Sequence, residues 1–182
     1  MDDAVLLATR NWLERAVIGL SLCPFAKAVH VKGQIRYCVS TAETADALVS
    51  DLRQELRSLS EVDPDVVDTT LLITPRVLGD FLDYNAFLKR ADATLEELGL
   101  DGLLQIASFH PSYEFGDNDP TDVANYTNRS PYPILHLLRE ASVDRAVKAF
   151  PEAERIFEKN MATLRALGRD GFERVLAGES AS

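Results

Sequence analysis

Three short apolar runs that alternate with amphipathic stretches constrain the fold of this 182-residue chain most strongly. The runs are Gln34–Val39, Val66–Thr74 and Leu103–Phe109, and their composition is typical of buried strands. In the stretches around them, apolar residues recur at helical spacing. Strands that alternate with helices predict right-handed crossovers and a parallel sheet that is covered on both faces.

The helical stretches have recognisable ends. Residues 3–21 carry one apolar face, and Pro24 stops the helix that they predict. Ser40 and Glu43 have the spacing of a capping box at the start of a second helix. Asp80 can cap a third helix, because its side chain can accept hydrogen bonds from the first free backbone N–H groups.

The last third of the chain is less regular. Residues 134–138 fit either a strand or a helix, and the prolines before them and a candidate helix cap at Ser142 favour a short fourth strand. A helix is expected from Pro151 to Leu167, with Gly168 at its end. We therefore expect a single α/β domain over residues 1–178, followed by a frayed tail at 179–182. Its small, mostly parallel sheet of three or four strands should have helices on both faces.

Charge and cysteine content exclude several classes of function. The net charge of −10 argues against nucleic acid and anionic membranes as partners, because both need a basic surface. No apolar run is long enough to span a bilayer, and the acidic start MDDAVLLATRNW does not resemble a signal peptide. The two cysteines, Cys23 and Cys38, form no CxxC pair, which indicates a reduced, cytoplasmic protein.

The segment from His110 to Pro133 is the strongest functional signal. It is longer than the roughly 12–15 residues that structureless connections in compact domains seldom exceed, and such loops often form sites. It leaves the carboxyl end of the third predicted strand, which is where open parallel sheets bind ligands. Arg76 follows the second strand and should lie on the same rim. We expect a small-molecule site there.

His110 and Asp117 are the candidate catalytic residues. Histidine titrates near neutral pH and can act as an acid, a base or a metal ligand, and Asp117 could orient it. The alternative for His110 is a packing residue at a strand end. The alternative for Asp117, and the favoured one for Asp119 and Asp122, is turn chemistry.

A divalent metal is a further alternative for the same group. Asp117 and Asp119 could bind it together with His110 and His136, since carboxylates suit magnesium, manganese or calcium and imidazole suits iron, manganese or zinc. The spacing is not that of an EF-hand. His136 on an apolar strand is otherwise a core residue. Whether a metal binds is left open by the sequence.

Four residues are candidates for binding the substrate. Asn125 and Asn128 offer amides that both donate and accept, and Arg129 and Arg76 offer guanidinium groups suited to a carboxylate or phosphate. The alternative for Arg129 is a salt bridge inside the loop. Cys23 follows the first helix, at the wrong end of it for an activated thiol, so packing is favoured.

Two segments together resemble a known family. SLCPFAKAV near the start, and FHPSYEFGDNDPTDVANYTNRSPYPILHLLRE followed by SVDRAV later, are similar to the bacterial family catalogued as domain of unknown function 1415. The resemblance covers nearly the whole chain. It implies a bacterial, single-domain protein, and it assigns no catalytic role to any residue because the family has no established activity.

These observations lead to one hypothesis and two alternatives. The hypothesis is a cytoplasmic enzyme that acts on a small polar or anionic metabolite by histidine-based or metal-assisted chemistry. The first alternative is a non-catalytic protein that binds a small ligand with the same loop, 110–133. The second is an interface protein that uses Tyr126 and Tyr132. The signature motifs of P-loop, dinucleotide-binding and α/β-hydrolase proteins are absent from the sequence.

Overall fold

A computed structural model describes residues 2–116, 118–150 and 152–179, and within these ranges the chain forms four strands and six α-helices. The strands are β1 (Ile35–Val39), β2 (Thr69–Ile73), β3 (Leu104–Phe109) and β4 (Ile134–Arg139). The α-helices are α1 (Asp2–Trp12), α2 (Ala26–Val31), α3 (Ala45–Glu61), α4 (Phe81–Glu97), α5 (Glu140–Ala149) and α6 (Ile156–Ala177). A π-helix at Leu13–Ile18 extends α1, and 3₁₀-helices form at Val123–Asn128 and Ala153–Arg155.

The sheet is mixed, so the expectation of a mostly parallel sheet was wrong. Its strand order is β1-β2-β4-β3, with β1 and β2 parallel and β4 antiparallel to both of its neighbours. A parallel return needs a crossover, usually through an α-helix that packs on the sheet. Among the described residues between β3 and β4, the chain forms the 3₁₀-helix Val123–Asn128 and no α-helix, and it returns beside β3 as a wide hairpin. The α/β class and the fourth strand are confirmed.

β4 is inserted between β2 and β3, but the three predicted strands still share one direction, as expected. β1, β2 and β3 all run in the same direction, because β3 and β2 are both antiparallel to β4. Their last residues form a single row, in which Val39 pairs with Ile73, Ile73 with Ile134, and Ile134 with Phe109. The carboxyl ends of the three strands therefore meet at one edge.

Helices cover both faces of the sheet, as expected. Alternate strand residues point to opposite faces, so each strand contributes to two cores. Leu72, Leu135 and Leu137 face α3 and α4 on the first face. Leu71, Ile73 and Ile134 face α1, the π-helix and α6 on the second.

The helix caps follow the sequence only in part. Asp80 caps α4 as predicted, and its carboxylate accepts from the N–H groups of Leu82 and Asp83. The predicted capping box was wrong, because α3 begins after Thr44, whose hydroxyl accepts from the N–H of Ala47. Ser142 is not a cap either: α5 begins at Glu140.

The last predicted helix also differs from the observed one. Gly168 interrupts α6 with φ +69° and ψ 175°, as a helix-ending glycine should, but the chain turns back into a helix and continues to Ala177. The expected start at Pro151 and the last part of the expected frayed tail, 180–182, lie outside the described residues. In the ranges that the structure describes, no helix has the length and apolar character needed to cross a membrane.

Candidate functional site

The residues that follow the three aligned strand ends are buried. Ser40, Thr74 and His110 come directly after β1, β2 and β3, and each exposes 3% or less of its surface. The Ser40 hydroxyl donates to Asp51 at 2.6 Å, and the Thr74 hydroxyl donates to the carbonyl of Pro133 at 3.3 Å. The carboxyl ends of the three strands do meet at one rim, as predicted. The three side chains there are used in hydrogen bonds to other groups of the protein.

His110 has both ring nitrogens occupied by the backbone. Its Nδ1 accepts from the N–H of Ser112 at 3.0 Å, so the proton sits on Nε2, which donates to the carbonyl of Leu78 at 3.1 Å. The ring packs at 5.0 Å from that of Tyr84 and 5.3 Å from that of Phe81. Burial lowers the pKa of His110, and the hydrogen bond to Leu78 only partly offsets this effect. The imidazole is neutral and enclosed.

Asn125 organises the loop from inside. Its buried side chain accepts at Oδ1 from the N–H of Phe115 and from the amide of Asn118, and it donates from Nδ2 to the carbonyl of Asp119. Because both ends of the amide are bonded within the loop, Asn125 maintains the shape of the segment.

Arg129 has two roles in the same loop. Its Nε and Nη2 donate to the carbonyls of Tyr113 and Pro120 at 3.2 and 3.3 Å, and its guanidinium lies 4.4 Å from the ring centre of Tyr126. The carbonyl of Arg129 in turn accepts from the indole N–H of Trp12 at 2.8 Å. These contacts fix the guanidinium in place while the residue still lines a cleft, described below.

The other predicted residues lie apart from one another. Arg76 stands 3.6 Å from Glu43 and lines neither of the two clefts described below. Asp119 and Asp122 accept from nearby backbone N–H groups, so their predicted turn role is confirmed. The candidate catalytic residue Asp117 lies outside the described residues.

A cleft of about 540 Å³ lies between α1, the second half of α6 and the loop. We call it the arginine cleft, because Arg129 and Arg169 both line it. The rest of its lining is Ala8, Asn11, Trp12, Pro111, Tyr126, Ser130, Pro131, Phe172, Glu173 and Leu176. Its size is within the range of small-ligand pockets, and its mostly apolar wall with a few charged groups is typical of them.

The two cations of the arginine cleft differ in how they are held. Arg129 is half-buried and braced by carbonyls, whereas the Arg169 side chain is 71% exposed. The Nε of Arg169 donates to Glu173 at 3.0 Å, and this bond raises the pKa of Arg169 further above its usual range. An exposed pair of this kind is weak, so an anion can compete with Glu173 for the guanidinium.

A second cleft, of about 340 Å³, lies on the other side of the 3₁₀-helix Val123–Asn128. We call it the amide cleft, after Asn128 and Asn160 in its wall. The other lining residues are Val17, Leu22, Cys23, Phe109, Thr127, Ala153, Ile156 and Phe157. Consecutive residues of one segment thus face different clefts: Tyr126 and Arg129 line the first, and Thr127 and Asn128 line the second.

The candidate ligand-binding residues Arg129 and Asn128 each line a cleft, but several residues beside them there were not predicted. Arg169 and Glu173 lie beyond Gly168, where the last long helix was expected to end, and Asn11 and Trp12 lie on a helix that was read only for its apolar face. The spacing of Phe172, Val175 and Leu176 predicts one or two helical turns after Arg169, and the structure shows a helix there that continues to Ala177.

The remaining candidate groups are two thiols and the imidazole of His136, and burial shifts the pKa of each. Cys23 and Cys38 are free thiols, and burial raises the pKa of both, that of Cys38 to about 11. Burial lowers the pKa of His136 to about 4. Among the side chains that the structure describes, no three His, Cys, Asp or Glu residues are grouped so that they could hold a metal ion.

The fold and the clefts define an α/β protein with two ligand-sized clefts on one face of a four-stranded mixed sheet. The model of the family described as "Protein of unknown function (DUF1415)" matches residues 4–174, and the chain belongs to this family. Neither a curated protein nor a solved structure is detectably similar to it.

Proposed function

We propose that the protein binds a small anionic metabolite in the arginine cleft. The observation that carries this proposal is the pair of guanidinium groups, Arg129 and Arg169, on one apolar-walled concavity. A planar guanidinium fits the two oxygens of a carboxylate or phosphate. The apolar wall, with Trp12 and Phe172, suits the uncharged body of the same ligand.

The arginine cleft differs in charge from the chain as a whole. A protein with a net charge of −10 repels anions over most of its surface. Two cations against one carboxylate, Glu173, leave the arginine cleft with a local positive charge. Low-dielectric walls concentrate such a field, which favours anion capture in the cleft over capture elsewhere.

Binding without catalysis has more support than histidine-based catalysis. A general base must reach the proton that it removes, and both ring nitrogens of His110 are already bonded to Ser112 and Leu78. His110 is not among the residues that line either cleft. A catalytic role for His110 with Asp117 stays a prediction, as does a metal at that site.

The setting is part of the same proposal. We propose a bacterial, cytoplasmic, single-domain protein that has neither nucleic acid nor a membrane as its partner. The free thiols Cys23 and Cys38 and the acidic charge support this setting.

The test is calorimetric titration with citrate and with pyrophosphate at low ionic strength. Arg169→Gln should weaken binding about fivefold or more, because one charge-assisted contact is lost. Glu173→Gln should strengthen binding, because it removes the competing carboxylate and leaves Arg169 to the ligand. Opposite effects from two neighbouring charges are difficult to explain by misfolding.

The matched control is Arg155→Gln. Arg155 is also exposed and is paired with nearby Glu152 and Glu158, but it does not line the arginine cleft. This variant should bind both anions as the parent protein does. Equal weakening by Arg169→Gln and Arg155→Gln would show that only net charge matters, and the proposal would then fail.

A further inference from the structure

The amide cleft is chemically unlike the arginine cleft. Every described residue that lines it is uncharged at neutral pH, and three of them carry amide or hydroxyl groups. We infer that it is a second ligand site, for a neutral molecule with an apolar body and an N–H₂ group. The inference depends on Thr127, Asn128 and Asn160, none of which lines the arginine cleft.

Asn160 provides the first hydrogen-bond acceptor. Only 4% of the residue is exposed, and its Nδ2 donates to the carbonyl of Leu22 at 2.8 Å. A carbonyl only accepts, so this contact fixes the amide with its nitrogen toward Leu22 and its oxygen away from it. Within the described chain, no hydrogen bond reaches that oxygen.

Asn128 provides a second acceptor by the same reasoning. Its Nδ2 donates to the carbonyl of Ser108 at 3.2 Å, which orients the amide. Its oxygen has no hydrogen-bond partner in the ranges that the structure describes. Asn128 and Asn160, which are distant in sequence, thus each bring one oriented amide oxygen to the same cleft.

Thr127 adds a hydroxyl that is buried without a partner among the described residues. Burying an unbonded hydroxyl costs free energy, and native proteins do so only rarely. Thr127 lines the cleft, so a rotation about its χ1 bond would turn this hydroxyl toward a bound molecule. A hydroxyl can donate or accept, so it can bond to either end of a carboxamide.

The remaining wall selects against charge. Val17, Leu22, Phe109, Ile156 and Phe157 are apolar, and Phe157 is 44% exposed at the mouth of the cleft. The Cys23 thiol stays protonated at neutral pH, because burial raises its pKa. A carboxylate would meet two amide oxygens and no cation of the described lining, so it is repelled where an N–H₂ group is held.

The experiment compares benzamide with benzoate, which share a ring and a shape but differ in charge and donors. Each is titrated into the ¹⁵N-labelled full chain, and the side-chain amide signals of Asn128 and Asn160 are followed. Benzamide should shift both signals in a saturable way, and benzoate should shift neither. Equal shifts with both compounds, or shifts with neither, would overturn the inference.

A pair of matched variants isolates the hydroxyl. Thr127→Val should weaken benzamide binding about three- to tenfold, which is the range expected for one lost hydrogen bond. Thr70→Val is the control, because Thr70 has the same kind of buried, unbonded hydroxyl on β2, away from the cleft. Both replacements remove an unsatisfied polar atom and keep the shape, so both proteins should fold.

The outcomes separate this site from the arginine cleft. Equal benzamide affinity in Thr127→Val and Thr70→Val would contradict a role for the Thr127 hydroxyl and would overturn the inference. Arg169→Gln should leave benzamide binding unchanged, and Thr127→Val should leave citrate binding unchanged. Failure of one site therefore does not imply failure of the other.

Discussion

His110 shows how a residue with catalytic potential can be used for structure. It follows β3 directly and is fully buried between the sheet and α4, where its two nitrogens bond to Ser112 and Leu78. These bonds join the start of the loop to the segment before α4. The imidazole thus holds the loop after β3 against the segment before α4, at the carboxyl edge of the sheet.

His110→Ala should destabilise the fold by about 2–4 kcal/mol, because it removes two part-buried hydrogen bonds and leaves a cavity beside Tyr84. Urea denaturation measures the change. His30→Ala is the control, since His30 lies on the short helix α2 and is partly exposed. An unchanged midpoint for His110→Ala, with loss of a ligand response, would instead support the catalytic hypothesis.

The sequence could identify polar residues in the loop but not their partners. Asn125, Arg129 and His110 are the types that bind ligands, and they are also the types that bond to backbone carbonyls in a long, irregular segment. Which use prevails depends on how the loop folds over itself. That information resides in contacts between residues, and residue type alone does not contain it.

At the scale of elements, the junction after α1 depends on one small residue. The π-helix Leu13–Ile18 widens the turn, and the N–H of Gly19 reaches back to the carbonyl of Glu14. A side chain at Gly19 would place its Cβ 2.2 Å from the carbonyl oxygen of Arg15. The segment that carries Leu22 and Cys23 into the amide cleft therefore relies on a glycine.

Gly19→Ala should cost roughly 2 kcal/mol or more, because backbone atoms must move to relieve the contact. Thermal unfolding followed by circular dichroism provides the measurement. Gly79→Ala is the control, since a Cβ there meets nothing within 4 Å. Equal melting temperatures in the two variants would show that the π-helix tolerates a side chain.

The elements themselves were largely predictable, and their ends less so. Apolar runs placed β1, β2 and β3, and Asp80 placed the start of α4. Ser40 failed as a cap because it is buried at the end of β1 and bonds to Asp51. A serine near a helix start fits a cap and a tertiary hydrogen bond equally well, and local sequence does not distinguish them.

At the scale of the whole molecule, the class of fold was predictable and the strand order was not. Periodicity reports whether a segment is a helix or a strand, but not which strand is its neighbour. Right-handed crossovers favoured a parallel sheet, and the return of the loop beside β3 produced an antiparallel insertion instead. The candidate clefts depend on this return, since the loop forms a wall of each.

Stability should fall as the pH decreases from about 6.5 to 4. Burial holds the pKa of His136 at about 4, below its ordinary value of 6.5. Between these values the unfolded chain binds a proton that the folded chain does not, so protonation favours unfolding. The loss should reach about 3 kcal/mol at the lower end, from the pKa difference. Urea denaturation across this range measures it.

His136→Leu tests the assignment. The Thr69 hydroxyl donates to the carbonyl of Leu137, so it keeps a partner when the imidazole is removed. The free energy of unfolding should depend less steeply on pH between 6.5 and 4 in this variant. A smaller dependence should remain, because burial also lowers the pKa of His110. An unchanged slope would assign the pH dependence to other groups.

The position of β4 between β2 and β3 affects how the chain folds during synthesis. β2 and β3 are not paired with each other, and only β4, which comes last, joins them. On the ribosome, β1 and β2 can pair early, but β3 must wait with both edges unpaired until residues 134–139 emerge. A ribosome that pauses within the loop would therefore present an unpaired strand to chaperones, so synthesis speed through 110–133 should affect the yield of folded protein.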